Sequence, residues 1–337
     1  MKAINKEKFN KALKGRLAPI CALIIAALVL LTALPYSVNA IRTRNELPES
    51  SFEERGRADK IHFIGFENTD CVLIESNNRF ALFYGGAFES AEKEKAEGIS
   101  IADYLKLRAA DGSGRVLLDY LICADSSYEK IEGLKSLIKD KGIYAKTIYF
   151  KRLDFSAVKM DDELKETYYK VYEAILEKGT PIAPDSEEML TLGDYKLHII
   201  DAGDISDSSL NLLIKKGDLS VFIAGNINSK DMKRLKNEIG EVTLYKAPFA
   251  GGKKDFPLSV AMKLKPDYIV FGGKPLRFGP ALMYRLCFAA GGSVYETYKE
   301  GGIVADLSTD EIRLCKIGQL GKIADSTTAA ETESSAK

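Results

Sequence analysis

Residues 61 to 87 read IHFIGFENTDCVLIESNNRFALFYGGA, and the segment divides into three short apolar runs. Ile61 to Phe66 and Cys71 to Glu75 lie on either side of a polar turn, and Phe80 to Tyr84 follows after a second one. Runs of this length bounded by Asn, Asp and Gly predict strands, so the globular part of the chain should open with a β-meander.

Downstream, strands and helices alternate. A helix is expected at Ser100 to Leu107, a buried strand at Val116 to Cys123, a helix at Tyr128 to Lys141 and a strand at Thr147 to Lys151. The run from Asp161 to Lys178 begins with acids and ends in Lys178-Gly179, the polarity of a helix whose surface charges need no functional role. Strands follow at Met189 to Leu192, Tyr195 to Asp201, Leu210 to Ile214 and Ser220 to Ala224, the last two joined by a turn at Lys216-Gly217-Asp218. A helix at Asp231 to Ile239, a strand at Val242 to Lys246, a helix around Leu258 to Leu264 and a strand at Tyr268 to Phe271 continue the alternation. The last expected units are a helix at Pro280 to Ala289, a strand at Ser293 to Thr297 and a hairpin through Gly301-Gly302 to Leu314.

This order of elements resembles the metallo-β-lactamase fold, and within it the ComEC-like branch of exported hydrolase domains, over roughly Ile61 to Leu314. The opening segment is similar to the family pattern H-F-I-D-V-G-Q-G-D-x-x-L-I-E-S-x-G-x-x-L-I-D-A-G, keeping His62, Phe63, Ile64, Asp70, Leu73 to Ser76 and Gly86. The resemblance implies an α/β four-layer αββα sandwich of two mixed β-sheets, built from two similar halves. It also implies two zinc ions, and here the residues depart from the family.

Where the family has T-H-x-D-x-D-H-I-G-G-L, this chain has Ala124 to Leu134, ADSSYEKIEGL. On that alignment Asp125 replaces the first His, Ser127 the next ligand, Glu129 the Asp and Lys130 the final His. Asn226, in LNLLIKKGDLSVFIAGN, stands in place of the metal-bridging Asp of T-G-D. In YKAPFAGGK, similar to L-K-V-G-H-H-G-S-K, Phe249 and Ala250 replace the paired His. Gly279-Pro280 is kept in the closing segment without the intervening His. A dinuclear hydrolase needs converging imidazoles and carboxylates to hold two cations and acidify the water between them. Asp125 and Glu129 alone cannot supply that. Lys130 brings a fixed positive charge that would repel a metal, and we read it as occupying the electrostatic place of the lost cation, beside the simpler reading of a solvated helix lysine.

Only two histidines occur in the 337 residues, His62 and His198. Both fall in strands and read as satisfied strand residues, since a catalytic metal needs three or more converging ligands. Asp201, Asp204 and Asp207 form an Asp- and Ser-rich turn without the spacing of a calcium loop. Gly251 to Lys253 and Gly272 to Lys274 could cradle an anion but read more simply as loops, and no phosphate loop or nucleophile elbow is present. Cys21, Cys71, Cys123, Cys287 and Cys315 lack metal or disulfide spacing and read as small buried hydrophobes.

Upstream of the meander, Leu17 to Leu34 carries no charge, and at about 1.5 Å per residue it spans roughly 27 Å as a helix, close to a bilayer core. Lys2, Lys6, Lys8, Lys11, Lys14 and Arg16 precede it against the single acid Glu7, which orients the terminus inwards and the rest of the chain outwards. The length favours an uncleaved anchor, whereas Val38-Asn39-Ala40 offers small residues for cleavage near Ala40 and secretion. The expected organisation is a basic cytoplasmic segment at 1–16, a transmembrane anchor or signal segment at 17–35, a linker at 41–59, the sandwich at 60–320 and a disordered tail at 325–337.

With 46% hydrophobic and 28% charged residues, and Lys plus Arg equal to Asp plus Glu at 48 each, the chain is an ordinary globular protein with no overall pull on nucleic acid. The expectation is a single-pass, extracytoplasmic pseudo-hydrolase with no cofactor, which binds or scaffolds a protein partner at the cell surface. The alternatives are a surviving metal-dependent hydrolase of phosphoesters or nucleic acid using Asp125, Glu129 and another acid, and a DNA-uptake accessory protein.

Overall fold

The computed structural model describes residues 47–48, 58–65, 70–86, 100–126, 131–153, 155, 162–183, 188–201, 209–248, 258–272 and 293–317. They belong to one compact unit, Leu47–Lys337. The expected segments at 1–16 and 17–35, most of the linker at 41–59, the helix at Pro280 to Ala289 and the tail at 325–337 lie outside the described residues. Among the described residues no helix is long and apolar enough to cross a membrane.

Along the chain come β1 (Asp59–Phe63), β2 (Cys71–Ser76), β3 (Arg79–Tyr84), α1 (Ile101–Ala109), β4 (Val116–Cys123), α2 (Glu132–Lys139), β5 (Ile143–Tyr149) and α3 (Asp162–Lys178). The second half runs β6 (Glu188–Leu192), β7 (Tyr195–Asp201), β8 (Leu210–Lys216), β9 (Leu219–Ile223), α4 (Ser229–Ile239), β10 (Leu244–Lys246), α5 (Leu258–Leu264) and β11 (Tyr268–Phe271). It closes with β12 (Ser293–Glu296), the one-turn α6 (Thr297–Glu300), β13 (Ile303–Asp306) and β14 (Arg313–Lys316).

Two seven-stranded mixed sheets result, ordered β14-β13-β1-β2-β3-β4-β5 and β12-β11-β10-β9-β8-β7-β6. Within them, β2–β3 and β8–β9, joined by two-residue turns, pair antiparallel, and β3–β4 and β9–β10, joined through helices, pair parallel, because only a long crossover can return the chain to the same end of a sheet. The β2–β3 turn shows this locally: Asn77 and Asn78 both adopt positive φ, 51° and 59°, which matches the twist of the flanking strands.

Strand alternation then divides the apolar side chains into three cores. Ile61, Phe63, Val72, Ile74 and Phe83 face Leu197, Leu212, Val221 and Ile223 between the sheets. Tyr104, Leu134, Leu137, Val171 and Ile175 of α1, α2 and α3 cover the outer face of the first sheet. Met232, Leu235, Val260 and Leu264 of α4 and α5 cover the second. The layers are therefore α, β, β, α, each sheet burying both faces.

Several boundaries differ from the sequence expectation for identifiable reasons. The strand expected at Thr147 to Lys151 is β5, starting at Ile143, because an edge strand exposes Tyr144 and Lys146 and so loses its apolar signature. The helix expected from Tyr128 is seen from Glu132 to Lys139. Asn228 caps α4 by accepting from the Lys230 and Asp231 amides, starting it at Ser229 rather than Asp231. Gly301-Gly302 does not turn the last hairpin: Gly301 is left-handed and closes α6, and the hairpin turn lies between Asp306 and Arg313.

A buried polar cluster ties α1 to the first sheet. Arg108 donates from Nε to Glu75 Oε2 at 2.8 Å and from a terminal nitrogen to Oε1 at 3.0 Å. His62, buried in β1, lies 3.3 Å from Glu75 Oε2 through Nε2 and 2.7 Å from the Tyr104 hydroxyl through Nδ1. A carboxylate only accepts, so Nε2 carries the proton and Nδ1 accepts from Tyr104. His198 is a half-buried residue of β7. At the end of the sandwich where β2 meets β3, Ser76 donates to Asp59, and Lys216 of the other sheet reaches the same carboxylate at 2.5 Å.

Burial lowers the pKa of His62 below 6.5, outweighing the hydrogen bond and charge of Glu75. Below about pH 6.5 the unfolded chain takes up a proton here that the folded chain refuses, so this residue's contribution, present above that pH, is lost as pH falls. The urea midpoint should drop between about pH 7 and pH 5.5, and His62→Gln should flatten that slope; an unchanged slope in the variant would place the titration elsewhere.

Candidate functional site

The carboxyl ends of β3, β4, β9, β10 and β11 meet at one edge of the sandwich, with the start of β2 and of β8 beside them. In layered α/β folds this edge gathers the polar groups, because the chain leaves the strands there into loops. Segments 66–69, 87–99, 127–130, 202–208, 249–257 and 273–292 adjoin these strand ends and lie outside the described residues. Ser127, Glu129, Lys130, Phe249 and Ala250 fall among them, as do Asp204 and Asp207.

Asp125 and Asn226 are brought together. Asp125 follows β4 and pairs with Ser209 at the entry of β8, where the Leu210 amide donates to the Ala124 carbonyl at 2.6 Å. Asn226 follows β9 and donates from Nδ2 to Asp125 Oδ2 at 2.8 Å. The intervening Gly225 has no room for a side chain, since a Cβ would stand 2.3 Å from the Leu210 carbonyl oxygen. Asn211, fully buried, accepts from the Gly225 amide at 3.0 Å and donates to the Ile200 carbonyl at 3.3 Å, locking β7, β8 and the end of β9. Lys151, after β5, binds Asp201 at the end of β7 at 2.7 Å, a second link between sheets.

The third link is the most buried. Lys246, the last residue of β10, is 1% exposed and its ammonium binds the carboxylate of Asp70, itself 3% exposed, and the Ala224 carbonyl at 3.1 Å. Gly272, just past β11, makes the space: a Cβ there would stand 2.1 Å from Asp70 Oδ1. Each charge of the pair is buried against the other, so the contact ties β10 of the second sheet to the start of β2 in the first. Sequence reasoning assigned a compensating ammonium to Lys130; among the described residues the buried ammonium at this edge is Lys246. The available signal was its place in the YKAPF segment, masked by the general rule that lysines are exposed.

Cys71 and Cys123 are buried beside this edge, and each is paired in register with Tyr84 on the strand between them. Burial pushes the Cys71 thiol up to about 12, with the adjacent Asp70 acting in the same direction, and the Cys123 thiol is raised by the same cause. Thiols held in this form are poor nucleophiles and metal ligands.

The described donors do not fit a two-zinc centre. Asp125 already accepts from an amide, Asn226 offers only a neutral carbonyl, and the nearest buried charge on β10 is cationic. Among the described residues no group of three or more His, Cys, Asp or Glu stands close enough to hold a metal ion. What the arrangement does offer is a self-satisfied polar edge that joins the sheets through Asp125–Asn226, Lys151–Asp201 and Asp70–Lys246.

No family profile and no curated protein matches the chain. Among solved structures it is similar to the metallo-β-lactamase-fold protein YhfI from Bacillus subtilis, at 14% identity and a TM-score of 0.46, covering 70% of this chain and 95% of that one. Zinc-bound PqqB from Methylobacterium extorquens is similar at 10% identity and 0.43, covering 69% and 87%. CmlA, a diiron β-hydroxylase from Streptomyces venezuelae, is similar at 13% identity and 0.42, covering 72% and 53%. With TM-scores under 0.5 and such low identities, no chemistry transfers from them to this chain.

Lys246→Met should leave the Asp70 carboxylate buried without its ammonium and destabilise the fold by about 3–5 kcal/mol in chemical denaturation. Adding Asp70→Asn should restore most of the loss, because the uncompensated charge disappears with its partner. Equal losses in the single and double variants would show that packing, not charge, dominates there.

Proposed function

We propose that this chain is a pseudo-hydrolase of the metallo-β-lactamase fold, related to the ComEC-like branch, and that it binds or scaffolds a protein partner on the outer side of the membrane that its N-terminal segment spans. The single observation that carries this reading is the hydrogen bond from Asn226 to Asp125. In the family pattern these positions hold the bridging carboxylate and the first imidazole, which would share metal ions. Here an amide N–H satisfies the carboxylate directly, so the two strand ends stay together without a cation. A bridging water would find no pair of cations to lower its pKa, and hydrolysis by that route has no nucleophile. The order of elements, the pairing of two mixed sheets and the retained Asp70 and Lys246 support the fold assignment. The uncharged run from Leu17 to Leu34, with cations before it, supports the membrane anchor and the outward orientation.

Full-length protein purified in the presence of zinc should carry far less than a stoichiometric amount of any transition metal by elemental analysis, and its melting temperature should not move on treatment with chelator. A stoichiometric metal, together with phosphoester hydrolysis abolished by Asp125→Ala, would overturn the assignment in favour of a surviving hydrolase. Membrane fractionation with external protease tests the anchor: the domain should sediment with membranes and be digested from outside.

A further inference from the structure

The two helical layers of the sandwich differ in charge although the whole chain is neutral. On the second sheet, α4 and the neighbouring α5, with the residue after it, present Lys230, Lys233, Arg234, Lys236, Lys263 and Lys265 outwards or partly outwards. The exposed acids of this layer and its adjoining turns are Glu238, Glu241 and Asp267, an excess of three cations. Asp231 is buried beneath, held by the helix cap. Lys265 binds Glu241 at 2.5 Å, and Arg234 stands 3.8 Å from Asp231, but Lys233, Lys236 and Lys263 have no acidic partner within 4.0 Å among the described residues. Met262 stands among them 59% exposed. On the opposite layer α3 carries Asp162, Glu163, Glu166, Glu173 and Glu177 against Lys165, Lys170 and Lys178, while α1 and α2 add Asp103 and Glu132 against Lys106, Lys135 and Lys139, so that layer is close to neutral.

We propose that the α4–α5 face rests on a bilayer surface containing anionic phospholipid, with α3 turned away from it. The inference rests on the anchored reading above and names a partner for the domain itself. A charge excess on one layer and none on the other orient a neutral body in the field of an anionic surface, where each lysine near the headgroups changes the partition by about fivefold. The exposed Met262 beside these cations suits the headgroup boundary, which can bury an apolar side chain, better than it suits a phosphate backbone, which offers it no apolar contact. The anchor adds to an attraction that the face supplies by itself, because the second contact is then intramolecular.

The test uses the full chain in nanodiscs of phosphatidylcholine alone or with phosphatidylglycerol, and reads amine acylation at single lysines by mass spectrometry. Lys233, Lys236 and Lys263 should label about fivefold less in the anionic discs and recover at about 0.5 M salt, while Lys165 and Lys170 label equally in both. Equal labelling of the three lysines in both lipids overturns the proposal. So does equal protection by DNA without lipid, which would make the face a general polyanion site. Flotation separates the two readings: if the chain is not retained by phosphatidylcholine vesicles, the anchor fails, and vesicles with phosphatidylglycerol then report on the face alone. Recovery there, abolished by K233E/K236E/K263E, supports the face; no recovery overturns it.

Discussion

An ammonium and a carboxylate that both lie out of reach of water must be next to one another, and in this protein the two belong to different sheets. Lys246 closes β10 and Asp70 opens β2, so their pairing fixes how far the sheets slide past each other at the polar edge. Neighbouring choices follow from it. Gly272 has no side chain because Asp70 occupies that space, and the Ala224 carbonyl turns towards the ammonium. With Ala224 so placed, Gly225 passes against β8 and Asn226 arrives at Asp125.

The Asn226 amide donates to the Asp125 carboxylate at 2.8 Å, so the ends of β4 and β9 are joined across the two sheets by a hydrogen bond. A carboxylate in place of Asn226 would repel Asp125, whereas the amide supplies a donor, and this part of the edge is satisfied by its own side chains. Lys151–Asp201 adds a second link between the sheets, and the buried Asn211 joins β7, β8 and the end of β9 within one of them.

Much of the framework was legible. The strands Val116–Cys123, Tyr195–Asp201 and Tyr268–Phe271 have the expected boundaries, because apolar residues mark their buried positions, interrupted only by Asp119 in the first and alternating with Lys196 and His198 in the second. β5 was read four residues late because half of an edge strand looks like a loop. Asp125 and Asn226 were named as site positions through the family resemblance, but nothing in the sequence said that one would donate to the other. Lys246 was missed as a site residue, since a lysine in a three-residue strand is indistinguishable locally from a solvated one.

The sequence alone determined the alternation of elements, the placement of an uncharged N-terminal run, the neutrality of the whole and the shortage of imidazoles, because each is a property of composition or of local period. Only the tertiary structure decided which distant polar residues meet. Asp70 with Lys246, Asp125 with Asn226 and the cations of α4 with those of α5 are pairings across tens to hundreds of residues, set by strand order and sheet packing. Burial converts the first two contacts from ordinary side-chain pairs into constraints, and burial is not written at any single position.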